Sequence, residues 1–133
     1  MNKINIKLSN IYVPISIGEL VDKITILQIK REIMTGDQFQ NVHNELELLL
    51  SIVRENDIDI ESNFFTSLKG INSSLWKIED QIRIKEGNNE FDEEFIKLAR
   101  SVYIRNDKRA LVKREINNKY NSDLIEEKYY KNY

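Results

Sequence analysis

The sequence predicts an all-α protein, mainly a four-helix antiparallel bundle, preceded by a short N-terminal β segment. Three observations carry that expectation. Four long stretches repeat apolar residues at helical spacing. The breaks between them hold helix caps and stop residues: Ser16, Gly36, Asp37, Gly87 and Asn89. The connections are short, and a short connection turns each helix back along the one before it.

At the N-terminus, Ile4, Ile6 and Leu8 alternate with Lys3, Asn5 and Lys7, and Ile11, Val13 and Ile15 repeat the pattern beyond Ser9 and Asn10. Period-two alternation reads as β structure, and Pro14 suits an edge. Residues 1–15 are therefore a β segment or arm, residues 16–120 the bundle and residues 121–133 a tail.

The first helix is expected over 17–35, with Ser16 and Glu19 as a capping box and Gly36 as the left-handed closing residue. Ile17, Leu20, Val21, Ile24, Leu27 and Met34 form one stripe, while Ile26, Ile29 and Ile33 form a second. A helix apolar on two sides is a central helix. Glu19 reads as a cap. Asp22 shares its line with isoleucines and calls for a basic partner on the last helix or a catalytic use.

The second helix is expected over 38–56, on a stripe of Phe39, Val42, Leu46, Leu49, Leu50 and Val53. Its neighbour His43 is the only histidine, which gives no metal site. The third helix is expected over 62–86, where Asn72, Trp76, Glu79 and Arg83 share an edge beside the core stripe. The fourth is expected over 90–120, capped by Asn89. Beyond it, Leu124 to Tyr130 have the makings of a short helix.

The fourth helix departs from the pattern of a plain bundle. Phe91, Phe95, Leu98, Ala99 and Val102 are an ordinary core stripe, but the same line continues through Asn106, Arg109, Lys113 and Asn117. Polar groups there cost free energy unless each finds a partner. Lys113, on the centre line, calls for a carboxylate such as Asp22 or Glu79, or for an open cleft above it.

Composition narrows the field. A chain of 133 residues with 41% apolar and 32% charged residues fits one globular domain. No cysteine is present, which excludes disulfides and thiolate chemistry. No apolar run reaches membrane-spanning length and the first residues lack a signal-like core, so the cytoplasm is the expected compartment, without a membrane partner. With a net charge of −2, nucleic acid ranks last among partners. No Gly-rich phosphate loop, HExxH motif or Ser/His/Asp set is readable.

The residues with chemical potential come from three helices. Asp22 and Glu79 are the candidate catalytic bases. Lys23, Trp76, Arg83, Arg100, Tyr103 and Asn106, joined by Asp107, Arg109, Lys113 and Asn117, are the candidate ligand-binding set. Arg forks and Asn amides suit an anion with neighbouring hydroxyls, such as a phosphorylated sugar or a nucleotide-like molecule. The competing reading is a non-enzymatic interaction module or homodimer whose polar stripe is a structural salt-bridge network. Whether a reaction is catalysed, and with what cofactor, stays open.

SIGELVDKITILQIK, LWKIEDQIRIKE, FIKLARSVYIRNDKRALVKREIN and EEKYY resemble a small bacterial helical domain family of unknown function. Its members tend to be encoded near glycosyltransferase and surface-polysaccharide genes. The likeness runs from about Val13 to Tyr130, with the earlier residues as an addition. It implies a place in polysaccharide metabolism and supplies no mechanism.

Overall fold

A computed structural model describes residues 10–133. It holds four helices: α1 (Ile17–Ile33), α2 (Gly36–Glu55), α3 (Ser62–Gly87) and α4 (Glu93–Lys119). The first expected β run lies outside the described residues. The second is not a strand: residues 10–16 have no regular structure, and Ile11, Tyr12 and Val13 are exposed. An alternating run becomes a strand only where another strand takes its backbone hydrogen bonds, and none does so among the described residues.

α1 is the hub. It packs on α2, α3 and α4, whereas the backbone of α2 approaches α1 alone. One apolar cluster joins Leu20, Ile24 and Leu27 of α1 to Val42 and Leu46 of α2. A second joins Val21 of α1 to Phe64 and Leu68 of α3 and Ile116 of α4. Both clusters draw on the first apolar stripe of α1, whereas in its second stripe Ile26 and Ile29 line a groove and Ile33 is exposed.

Three helices end in the same way, each within one residue of the expected position. α2, α3 and α4 close on left-handed Asp57, Asn89 and Asn121. Behind each, a six-to-one hydrogen bond ties the chain to the last turn: Ile58 to Val53, Glu90 to Lys85 and Ser122 to Asn117. Asn89 therefore closes α3 rather than capping α4. The cap of α4 is Asp92, whose carboxylate accepts from the Phe95 N–H at 2.9 Å. Gly36, expected to close α1, is instead the left-handed first residue of α2, with φ 61°.

The tail has no helix after Tyr120. Leu124, Ile125, Tyr129 and Tyr130 stay exposed, and so short a segment is not a stable helix without an apolar face to bury.

Burial is confined to one end of the α3–α4 hairpin. The buried residues of α3 are Phe64, Leu68 and Asn72, and those of α4 are Lys113, Ile116 and Asn117. The expected core residue Phe91 is 56% exposed. Beyond Asn72 the α3–α4 hairpin parts from α1, and a groove opens between them.

Candidate functional site

The polar stripe of α4 meets α1 in three successive layers. In the first, Asn117 Oδ1 accepts the Gly18 N–H at 2.7 Å. A Cβ at position 18 would lie 2.5 Å from the Lys113 carbonyl oxygen, so glycine is what lets the two helices touch. In the second, the Lys113 ammonium lies 2.5 Å from Glu19 and 2.8 Å from Glu126 of the tail. In the third, the Arg109 guanidinium forks onto both oxygens of Asp22, with Nε 2.9 Å from Oδ1.

Asp22 and Thr25 are fully buried. Asn72 Nδ2 donates to Asp22 Oδ1 and to Thr25 Oγ1, both at 2.9 Å, and the Thr25 hydroxyl donates to the Asp22 carbonyl at 2.7 Å. Asp22 thus has the basic partner on the last helix that its position calls for. Arg109 and Asn72 occupy its carboxylate, leaving no open approach for a substrate proton.

The capping box at α1 is half formed. Ser16 Oγ accepts the Glu19 N–H at 3.1 Å, but the Glu19 carboxylate crosses to Lys113 instead of returning to the Ser16 N–H. The carboxylates on Lys113 are accordingly Glu19 and Glu126, not Asp22 or Glu79. A charge-assisted bond to a buried ammonium outweighs a local bond that water could replace.

Burial pulls the Lys113 pKa down, but the bonds to Glu126 and Glu19 outweigh it and hold the ammonium above its usual value. Asp22 likewise holds Arg109 above its ordinary value. Lys113, and then Lys128, pull Glu126 from 4.5 down to about 2. A depressed folded-state pKa adds stability above the unfolded value, and that contribution is lost as pH falls. The tail contact of Glu126 is therefore expected to hold at neutral pH and to weaken between pH 4.5 and about 2. Carboxyl carbon shifts followed through an acid titration check this. A Glu126 midpoint at its ordinary value would contradict the contact.

The candidate ligand residues divide between two grooves on either side of α4. The first, about 570 Å³, lies between α1, α3 and α4. Ile26, Ile29 and Leu75 give it apolar walls, and Trp76, Glu79, Asp80, Arg83, Asn106 and Arg109 supply its chemistry. The Glu79–Arg83 pair is loose, at 3.9 Å, with Arg83 79% exposed. The second, about 1160 Å³, lies between α4 and the tail. It collects Tyr103, Asp107, Lys113 and Asn117 of the expected set, and shares Asn106 and Arg109 with the first.

Lys23 and Arg100 face solvent and line neither groove, so they leave the site set. Lys23 follows Asp22 by one residue, about 100° around the helix, which carries it off the packed face. Sequence reasoning passed over Thr25, weighed Asp80 beside Glu79 but read it as solvated surface charge, and left the tail residues Glu126, Lys128, Tyr130 and Tyr133 out of the candidate set. Thr25 had a signal, one turn beyond Asp22. The tail's signal was the EEKYY block of the resemblance; a segment that docks without any period leaves no helical pattern.

The comparisons with known proteins bear on family alone. A model described as a family of unknown function, DUF6165, matches residues 11–133. The chain belongs to DUF6165. The match takes in all four helices of this DUF6165 protein, both grooves and the tail, and leaves out residues 1–10. No curated protein and no solved structure matches it. Among the described residues no helix is long and apolar enough to cross a membrane.

Proposed function

We propose that this DUF6165 protein binds a small anionic, hydroxyl-rich ligand, of the class of a phosphorylated sugar, in the groove between α1, α3 and α4. The observation that carries this reading is the company around Trp76. An aromatic face stands beside adjacent carboxylates, Glu79 and Asp80, with Arg83 one turn further and Asn106 across from them. A groove of about 570 Å³ is of ligand size. The indole offers a flat apolar wall to a sugar ring, and the carboxylates and the amide accept or donate to hydroxyls. Arg83, loosely paired, and the Arg109 edge not turned to Asp22 supply the anion's partners. Glu79, 49% exposed, and its neighbour Asp80 are the groove's solvent-open carboxylates, so any acid–base step falls to them rather than to buried Asp22. The polysaccharide connection is compatible with this ligand class and rests on the family resemblance.

Trp76 is the only tryptophan, so its emission reports this groove directly. Titration with glucose 1-phosphate and glucose 6-phosphate is expected to give a saturable change in emission, lost in Arg83→Gln. A linear response, or an unchanged one in the variant, would remove the reading.

A second reading draws on the paired groups. Asp22, Arg109, Lys113 and Asn117 all have partners within the chain, as expected of a network that sets helix register in an interaction module. Exposed Ile96, Ile104 and Leu111 on α4 offer that module an apolar surface. Concentration-independent monomers in light scattering would count against its homodimeric form.

A further inference from the structure

We propose that the face of α4 carrying Lys113 and Arg114 is a second, separate anion site, filled in this structure by the chain's own tail, and that it takes a dianionic phosphate group in place of the Glu126 and Glu127 carboxylates.

The tail presents two consecutive carboxylates to two consecutive cations. Glu126 lies 2.8 Å from Lys113, and Glu127 receives the Arg114 guanidinium through two bonds of 3.1 and 3.3 Å. Lys128 turns back onto Glu126 at 2.8 Å. Locally, then, Lys113, Arg114 and Lys128 face Glu19, Glu126 and Glu127. The tail carboxylates contribute two of those three negative charges, so a dianion restores the same balance when they leave. A phosphate also offers fork geometry to Arg114 and several acceptors to the ammonium groups.

Two features make the carboxylates replaceable. Lys113 keeps Glu19 at 2.5 Å when Glu126 departs, so no buried charge is stranded. Little apolar surface anchors the segment: Leu124 and Ile125 are 46% and 43% exposed, and Tyr129 is fully exposed. The Arg114–Glu127 and Lys128–Glu126 pairs are exposed, and exposed ion pairs are individually weak. Beside them the groove of about 1160 Å³, walled by Tyr103, Tyr130 and Tyr133, leaves room for the rest of a ligand.

The cations that build this site, Lys113, Arg114 and Lys128, lie outside the Trp76 groove, so the two readings fail independently. The test is calorimetric titration of inorganic diphosphate into the full chain at constant ionic strength. Glu126→Gln/Glu127→Gln removes the internal competitor and is expected to bind about tenfold more tightly than the parent chain, since the tail carboxylates no longer compete for Lys113 and Arg114. Adding Lys128→Gln to that variant is expected to reverse most of the gain. All three positions are exposed and Glu19 still pairs with Lys113, so the variants are expected to fold with a modest loss of stability, which melting curves measure. Equal affinity in the parent and the double variant, or no binding by either, would overturn the proposal.

Discussion

Arg109→Met is expected to lower the free energy of unfolding by about 3–5 kcal/mol, the range for breaking a buried ion pair by removing one partner. The effect comes from what stays behind. Asp22 is fully buried, and without the guanidinium its carboxylate retains only the Asn72 amide as a side-chain donor among the described residues. Arg109 itself is 28% exposed, which places the expected loss toward the lower end of the range. Replacing both partners with apolar residues, in Asp22→Leu/Arg109→Met, is expected to cost less than the single change, because no charge is then left in the core. Urea unfolding of the three proteins measures this. A single variant within 1 kcal/mol of the parent would mean that water reaches Asp22 and that the layer is not closed.

Gly18→Ala is expected to cost about 2–4 kcal/mol, a steric penalty added to a lost hydrogen bond. The new methyl would sit 2.5 Å from the Lys113 carbonyl and 3.0 Å from Asn117 Oδ1, and the first of these is backbone and cannot turn aside. Either α1 and α4 separate or the Gly18–Asn117 bond breaks. Separation would also stretch the Glu19–Lys113 and Asp22–Arg109 layers, so the loss should be accompanied by chemical-shift changes along α4 as far as Arg109. An unchanged melting temperature would show that the helices have slack at this level. Alanine at Gly70 or Gly87, where a Cβ meets nothing within 4 Å, is the control.

Much of the frame was legible because helices advertise themselves twice, through period and through caps. α1 and α3 begin where the sequence places them. The closing residue of α3 and the cap of α4 differ from expectation for one physical reason: Asp and Asn enter the left-handed region more readily than other non-glycine residues. Asn89 therefore closes α3, where Gly87 was expected to stop it, and leaves the α4 cap to Asp92. The polar stripe of α4 was legible because a helical line running from Phe95 to Lys113 must bury something it does not favour. Which carboxylate answered which cation was not legible, since Glu19 and Asp22 lie within one turn and either could reach Lys113. The tail was the least legible part. Glu126 and Glu127 are held by charge on an exposed segment, and pairing of that kind leaves no period in a sequence.

The parting of the α3–α4 hairpin from α1 beyond Asn72 has a consequence for how the molecule opens. Every fully buried residue of α3 and α4 lies at the end near Asp22, while the outer turns rest only on each other. Backbone amides from about Ile78 to Val102 should therefore exchange with solvent through a partial opening that leaves the two apolar clusters intact, whereas those near Leu68 and Ile116 should exchange only when the whole domain unfolds. The chain would then behave as two cooperative units divided at the level of Trp76. The Trp76 groove lies on the boundary between them, so a ligand seated there would tie the loose unit to the firm one.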